Sequence, residues 1–255
     1  MRLSVLIIIG LSFIIFSCGT LKEGVSTTKD ALNKTTKQVY QSAIENAMSP
    51  SPEKVATNLV AINKQNENLT WKTVNGEDYL LVVTWKGDAS YYEAYLDSSF
   101  YPTQQWEIWV TTSPQLLTVF SQEDVLDTNM RLKQMLGLPP NSTYNYFVEF
   151  WVKPANLFRP CPDKEITDQK CDLCIPNGTD SSYINWVNDN RINHYYQCEL
   201  YDQYPWSQLG YTYDCSVKNI DHVGLSEFVI KPEVNIIVEA IYTTADYLQK
   251  SNVKD

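Results

Sequence analysis

Histidine is nearly missing from this chain of 255 residues: there are two, His194 and His222. The familiar signatures of catalysis are missing too. No Gly-x-Ser-x-Gly elbow, His-Glu-x-x-His zinc motif, phosphate-cradling Gly-x-x-x-x-Gly-Lys or dinucleotide fingerprint occurs. The one imaginable relay, Asp221-His222 with Ser226 or Ser207, rests on adjacency in sequence, which does not create a hydrogen-bonded triad. Positive charge is short as well, with 20 Lys and Arg against 30 Asp and Glu and a net charge of −10. That balance excludes a nucleic-acid partner, since binding a phosphate backbone requires a basic footprint. No internal repeat is present, which excludes solenoids and propellers. Long apolar runs are also lacking. The longest, residues 3–16, is fourteen residues and rises about 21 Å as a helix, short of a bilayer core of about 30 Å. Glycine is scarce, at 9.

Aromatic residues are abundant instead: 13% of the chain, with 17 Tyr and 7 Trp. Many rings and little glycine suit β-rich structure, because rings pack well on a pleated surface. "DYLLVVTWKG", "QQWEIWVTT" and "TYNYFVEFWVKP" carry the two-residue period of strands, as do "QLGYTYD", "GLSEFVIK" and "EVNIIVEAIYT". Helical signals are fewer. Ser51 followed by Pro52 predicts a short helix over 52–64. Ser121 and Asp124 predict the start of a helix that Gly137 and Pro139 end, and "SSYINWVNDNRINHYY" predicts another. Strands and helices segregate rather than alternate. The expected fold is therefore α+β, a mainly antiparallel sheet with a few packed helices.

The amino terminus supplies an address. Arg2, the short apolar run and the small residues after it have the form of a secretory signal rather than a spanning helix. The sequence Ile15-Phe16-Ser17-Cys18-Gly19 resembles the lipobox of bacterial lipoproteins, with an aliphatic residue at −3, a small one at −1 and the cysteine that becomes the lipidated terminus. The resemblance implies cleavage before Cys18, lipidation of Cys18, and a membrane held through the lipid anchor. Gly19 in place of the aspartate associated with inner-membrane retention implies the outer membrane, facing either the periplasm or the cell surface. "LFRPCPDKEITD" and "YPWSQLGYTYD" also resemble stretches of uncharacterised secreted proteins of the Bacteroidota. The expected organisation is a signal peptide over 1–17, a lipid-anchored tether with weak helix over 18–50, and one α+β domain over 51–255 with a Cys-rich excursion at 154–215.

Five further cysteines, Cys161, Cys171, Cys174, Cys198 and Cys215, fall within 55 residues. In an exported chain such clustering predicts disulfides. The expected bridges are Cys161 to Cys171 or Cys174, and Cys198 to Cys215. The competing reading is a zinc site of Cys171, Cys174, His194 and Cys198, a chemically sound tetrahedral set.

The remaining candidates are aromatic and acidic. "YPTQQWEIW" and "YPWSQLGYTYD" place Tyr101, Trp106, Tyr204, Trp206 and Tyr211 beside turn-forming proline. Rings of this kind stack on sugar faces or anchor protein interfaces. Glu149, Glu227 and Glu239 lie in predicted strands, and Glu149 with Glu227 would be the catalytic carboxylates of a polysaccharide hydrolase. The favoured expectation is a non-enzymatic binding or structural lipoprotein for an envelope protein or a glycan, with the lipid-anchored hydrolase as the alternative.

Overall fold

The computed structural model describes residues 35–96, 100–196 and 203–250. Cys18, the signal segment and Cys198 lie outside these residues. The folded unit runs from Thr36, so the end of the expected tether belongs to it. Helix α1 (Thr36–Ala47) buries Tyr40, Ala43, Ile44 and Ala47 against Tyr213 and Cys215.

The fold is α+β, built on an antiparallel sheet of eight strands. Strands β1 (Trp71–Val74) and β2 (Glu77–Lys86) form a hairpin. Its two-residue turn, Asn75-Gly76, has φ of 52° and 80°, the left-handed pair that this dipeptide supports and that matches strand twist. A short helix α2 (Ser90–Glu93) and β3 (Tyr101–Pro102) precede β4 (Ile108–Thr112). Helices α3 (Ser113–Phe120) and α4 (Thr128–Met135) follow, then β5 (Tyr146–Val152) and β6 (Leu157–Phe158). Helix α5 (Ser181–Tyr195) is capped by Asp180. Strands β7 (Tyr211–Tyr213), β8 (Val223–Ser226), β9 (Phe228–Ile230) and β10 (Asn235–Thr243) lead to α6 (Thr244–Gln249). The sheet order is β3-β10-β5-β2-β4-β9-β6, with β1 on β2, while β7 and β8 pair separately.

Two-residue alternation divides the sheet into faces. Leu80, Val82, Val148, Phe150, Phe228 and Val238 form one core. On the opposite face Val83, Trp85 and Phe147 pack against Leu116 of α3, Leu132 and Met135 of α4, and Tyr247 of α6. Each such side chain contributes about 1.5–3 kcal/mol on full burial.

Two sequence-based helices are corrected. Pro52 starts only a single 3-10 turn, Pro52–Lys54. The following backbone is drawn into tertiary bonds, Leu59 N–H to Gln169 O at 2.9 Å and Ile62 N–H to Ile166 O at 2.7 Å. The helix predicted from Ser121 begins at Thr128, because Asp127 accepts the Met130 N–H at 3.0 Å and caps it. Ser121 instead closes α3.

Candidate functional site

Strands β2 and β4 are joined at only two positions, Val82 to Thr112 and Val83 to Thr111. Beyond them β2 stays with β5 as far as Lys86, and β4 runs back to Ile108 alongside β9. The strands part at this point, and a cavity of about 330 Å³ occupies the gap. Val83, Trp85, Phe147, Trp109 and Thr111 form its floor, and His194 of α5, Tyr204, Trp206 and the 136–138 turn cover it.

The walls are aromatic, and rigid. Trp85 stacks on Tyr144 at 5.1 Å and on Phe147 at 5.5 Å between ring centroids. His194 sits 6.0 Å from Trp109, 5.8 Å from Tyr204 and 5.5 Å from Trp206. The Trp206 indole N–H donates to Pro160 O at 3.1 Å, and its own carbonyl accepts the Tyr195 hydroxyl. These bonds fix the orientation of the ring.

Four acidic or basic side chains, Lys86, Glu107, His194 and Glu227, line the same space. "GLSEFVIK" is two strands rather than one: β8 pairs with β7, and β9 with β4 and β6. Glu227 stands at the switch between them, one step past the Val110–Phe228 pair, and lines the cavity. Its carboxyl has no hydrogen bond or ion pair among the described residues, and burial alone pushes its pKa up to about 8. Glu227 is half-buried. Burial lowers the His194 pKa to about 4, and neither ring nitrogen has a hydrogen-bond partner among the described residues. Glu107 accepts the Trp186 indole N–H at 2.5 Å. Its pKa is raised by burial, and the indole bond partly offsets this. Lys86 makes no ion pair among the described residues, and burial lowers its pKa. At neutral pH the Glu227 carboxyl and the His194 imidazole are therefore uncharged, in a mostly apolar chamber with strong local electrostatics.

The sequence-based candidates disperse. Tyr204 and Trp206 line the cavity. Trp106 lies outside its lining and is 68% exposed. Tyr101 packs edge-on against Tyr95 at 4.9 Å in the opposite core, and Tyr211 is buried with its hydroxyl donating to Lys54 O at 2.9 Å. Of the carboxylates, Glu227 enters the cavity but Glu149 does not. Glu149 is sealed by Ser113 and by Lys250 at 2.7 Å. Glu239 accepts the Trp151 indole N–H and pairs with Lys72 at 3.5 Å. The imagined relay does not form: Ser207 donates to Tyr211 O, Ser226 accepts the Val60 N–H, and His222 Nδ1 lies 2.9 Å from Asp214 O.

Cys161 and Cys171 form the disulfide expected of that end of the cluster. Closing a loop of sequence separation 10 contributes about 2–3 kcal/mol in the chain-entropy picture. Cys174 is an exposed free thiol and Cys215 a buried one; Cys198, the expected partner of Cys215, lies outside the described residues. Cys215 is packed beneath α1, and burial pushes its pKa up. The bridge also removes Cys171 from the zinc set, and no described group of three His, Cys, Asp or Glu is placed to hold a metal.

Sequence reasoning missed Trp85, Lys86, Glu107 and Tyr144 as cavity residues. The strong Trp and Tyr content of β2 and β4 was the available signal, but the parting of two strands is a non-local event. The chain matches no known protein-family model, no curated protein and no solved structure.

Proposed function

We propose that the chain is a membrane-anchored lipoprotein of the cell envelope, held through Cys18 in the outer membrane, and that its folded unit is a non-enzymatic binding module. The observation that carries the binding reading is the aromatic-walled cavity where β2 and β4 part. A small concave chamber with few polar groups is what a small ligand requires. A protein partner requires a broad exposed patch. Of the five aromatic candidates only Trp106 is strongly exposed, with Tyr204 at 40% on the cavity rim. The cavity therefore favours a small molecule or the end of a glycan over a protein surface.

The hydrolase alternative loses its original pair. Glu149 lies across from Val83, Val83 across from Thr111, and Glu227 on the next strand. Three strand spacings of about 4.8 Å put their backbones about 14 Å apart, and Glu149 is already engaged. Glycosidase carboxyls stand about 5–10 Å apart.

Two measurements test the proposal. Metabolic labelling with palmitate is expected to mark the chain, and Cys18→Ser to abolish the mark; undiminished label in that variant overturns the anchor. Tryptophan emission is expected to respond saturably to one or more members of a panel of sugars and small ring compounds. Tyr204→Ala, which removes a half-exposed ring from the rim, should weaken that response about tenfold, the scale of a stacked aromatic contact. Turnover of a polysaccharide that Glu227→Gln abolishes would replace the binding module with an enzyme.

A further inference from the structure

The cavity pairs π-faces with an unneutralised acid. Trp109, Tyr204 and Trp206 line it beside Trp85, which is itself stacked on Tyr144 and Phe147, and the Glu227 carboxyl has no partner among the described residues. Rings carry negative electrostatic potential on their faces and attract organic cations, most strongly in a desolvated site. A buried carboxyl without a counter-charge gains from the same visitor. Once a cation displaces the proton of Glu227, Glu107 and Glu227 against Lys86 give the lining one net negative charge, the complement of a monocation.

We propose that the cavity receives a small organic ammonium ion, held over the tryptophan and tyrosine faces with Glu227 as its counter-ion. The proposal rests on the reading of the cavity as a ligand site and narrows its class. The shared chemistry is the ammonium group, whether on a quaternary amine or on an amino sugar at a glycan end.

The neighbours of Glu227 leave this role open. On α5, His194 is neutral, the Tyr195 hydroxyl donates to Trp206 O, and Arg191 Nε donates to Gln208 Oε1 at 2.5 Å. Glu107 on the approach to β4 is held by Trp186, and Lys86 on β2 does not offset the burial of Glu227. Tyr213 of β7 is stacked on His222 at 4.8 Å. Only a proton now occupies the carboxyl at neutral pH, so proton and cation compete for it. Affinity for a cation should rise with pH through about 8, and binding near neutrality should release protons.

The test uses calorimetry on the full-length chain with choline and its uncharged isostere 3,3-dimethylbutan-1-ol at pH 6 and pH 9. Choline is expected to bind at least tenfold more tightly than the isostere at pH 9, and several-fold more tightly at pH 9 than at pH 6. Glu227→Gln should flatten both differences, and titration in buffers of different ionisation enthalpy should show proton release in the native chain only. Glucosamine against N-acetylglucosamine at pH 7 separates the sources: a preference for the free amine exceeding that of choline over its isostere points to an amino sugar. Equal binding of choline and isostere at pH 9 overturns the ammonium class while leaving the cavity as a ligand site. A preference for choline that survives Glu227→Gln overturns the counter-ion assignment. Failure of every probe, with tryptophan emission unmoved by any sugar or ring compound, overturns the ligand-site reading itself.

Discussion

Lys250→Met is expected to destabilise the fold by about 3 kcal/mol, whereas the double variant Glu149→Met with Lys250→Met should lose far less. Glu149 is 1% exposed in the middle of β5. Its carboxylate accepts two bonds from Lys250 Nζ, at 2.8 and 2.7 Å, and one from the Ser113 hydroxyl, which lies 2.9 Å from the Tyr247 hydroxyl. Lys250 also lies 4.5 Å over the Tyr242 ring and 5.4 Å over Tyr247. Breaking one side of a buried pair strands a charge in the interior at about 3–5 kcal/mol, while replacing both sides with apolar groups is often near neutral. The lysine side chain keeps 33% of its surface, which places the effect at the lower end. Urea denaturation of the two single variants and the double variant gives the coupling directly. Additive losses would mean that the pair is ornamental and that α6 is held by Tyr247 alone.

Arg159→Leu should cost about 4 kcal/mol or more, and Arg159→Lys should recover little of it. The guanidinium is 0% exposed. It donates to Glu165 O at 2.9 Å, Asp168 O at 2.8 Å and Val60 O at 3.3 Å, and lies 5.4 Å over Phe228. Hydrogen bonds from a charged donor contribute about 1.5–3 kcal/mol each, and the planar fork reaches divergent carbonyls that a single ammonium cannot. The close approach of Gly210 belongs to the same arrangement. With φ of 75°, it leaves so little room that a Cβ would lie 2.5 Å from Arg159 Cδ. Without the fork, the loop over 160–170 keeps the Cys161–Cys171 bridge and the backbone bonds from Leu59 and Ile62. Faster protease cleavage confined to that loop, together with a lower urea midpoint, is the expected readout. A variant with native stability and native cleavage would show that water replaces the fork.

The α+β class was legible because β2, β5 and β10 are runs of seven to ten positions rich in β-branched and aromatic residues, and such runs between turn formers are a strong local strand signal. The 52–64 segment failed because its start signal was correct but its backbone found partners 104–110 residues away in sequence. Glu227 was singled out for lying in a strand, whereas it matters because it lies at the break between two. Tyr204 and Trp206 could be read from local aromatic density. Their meeting with Trp85, Trp109 and His194 could not, since it depends on four segments arriving from separate parts of the chain.

The two-pair seam between β2 and β4 also has a mechanical meaning. The β10-β5-β2 half is laced by six and seven residue pairs along its length, and the β4-β9-β6 half by three and two. A sheet stitched at one point between a stiff panel and a lighter one concentrates its compliance at the stitch. A twist of the sheet is therefore expected to widen or narrow the chamber beside it. The entrance can breathe without any loop acting as a door, and slow amide exchange should be found in β5 while the β4 side of the seam opens first.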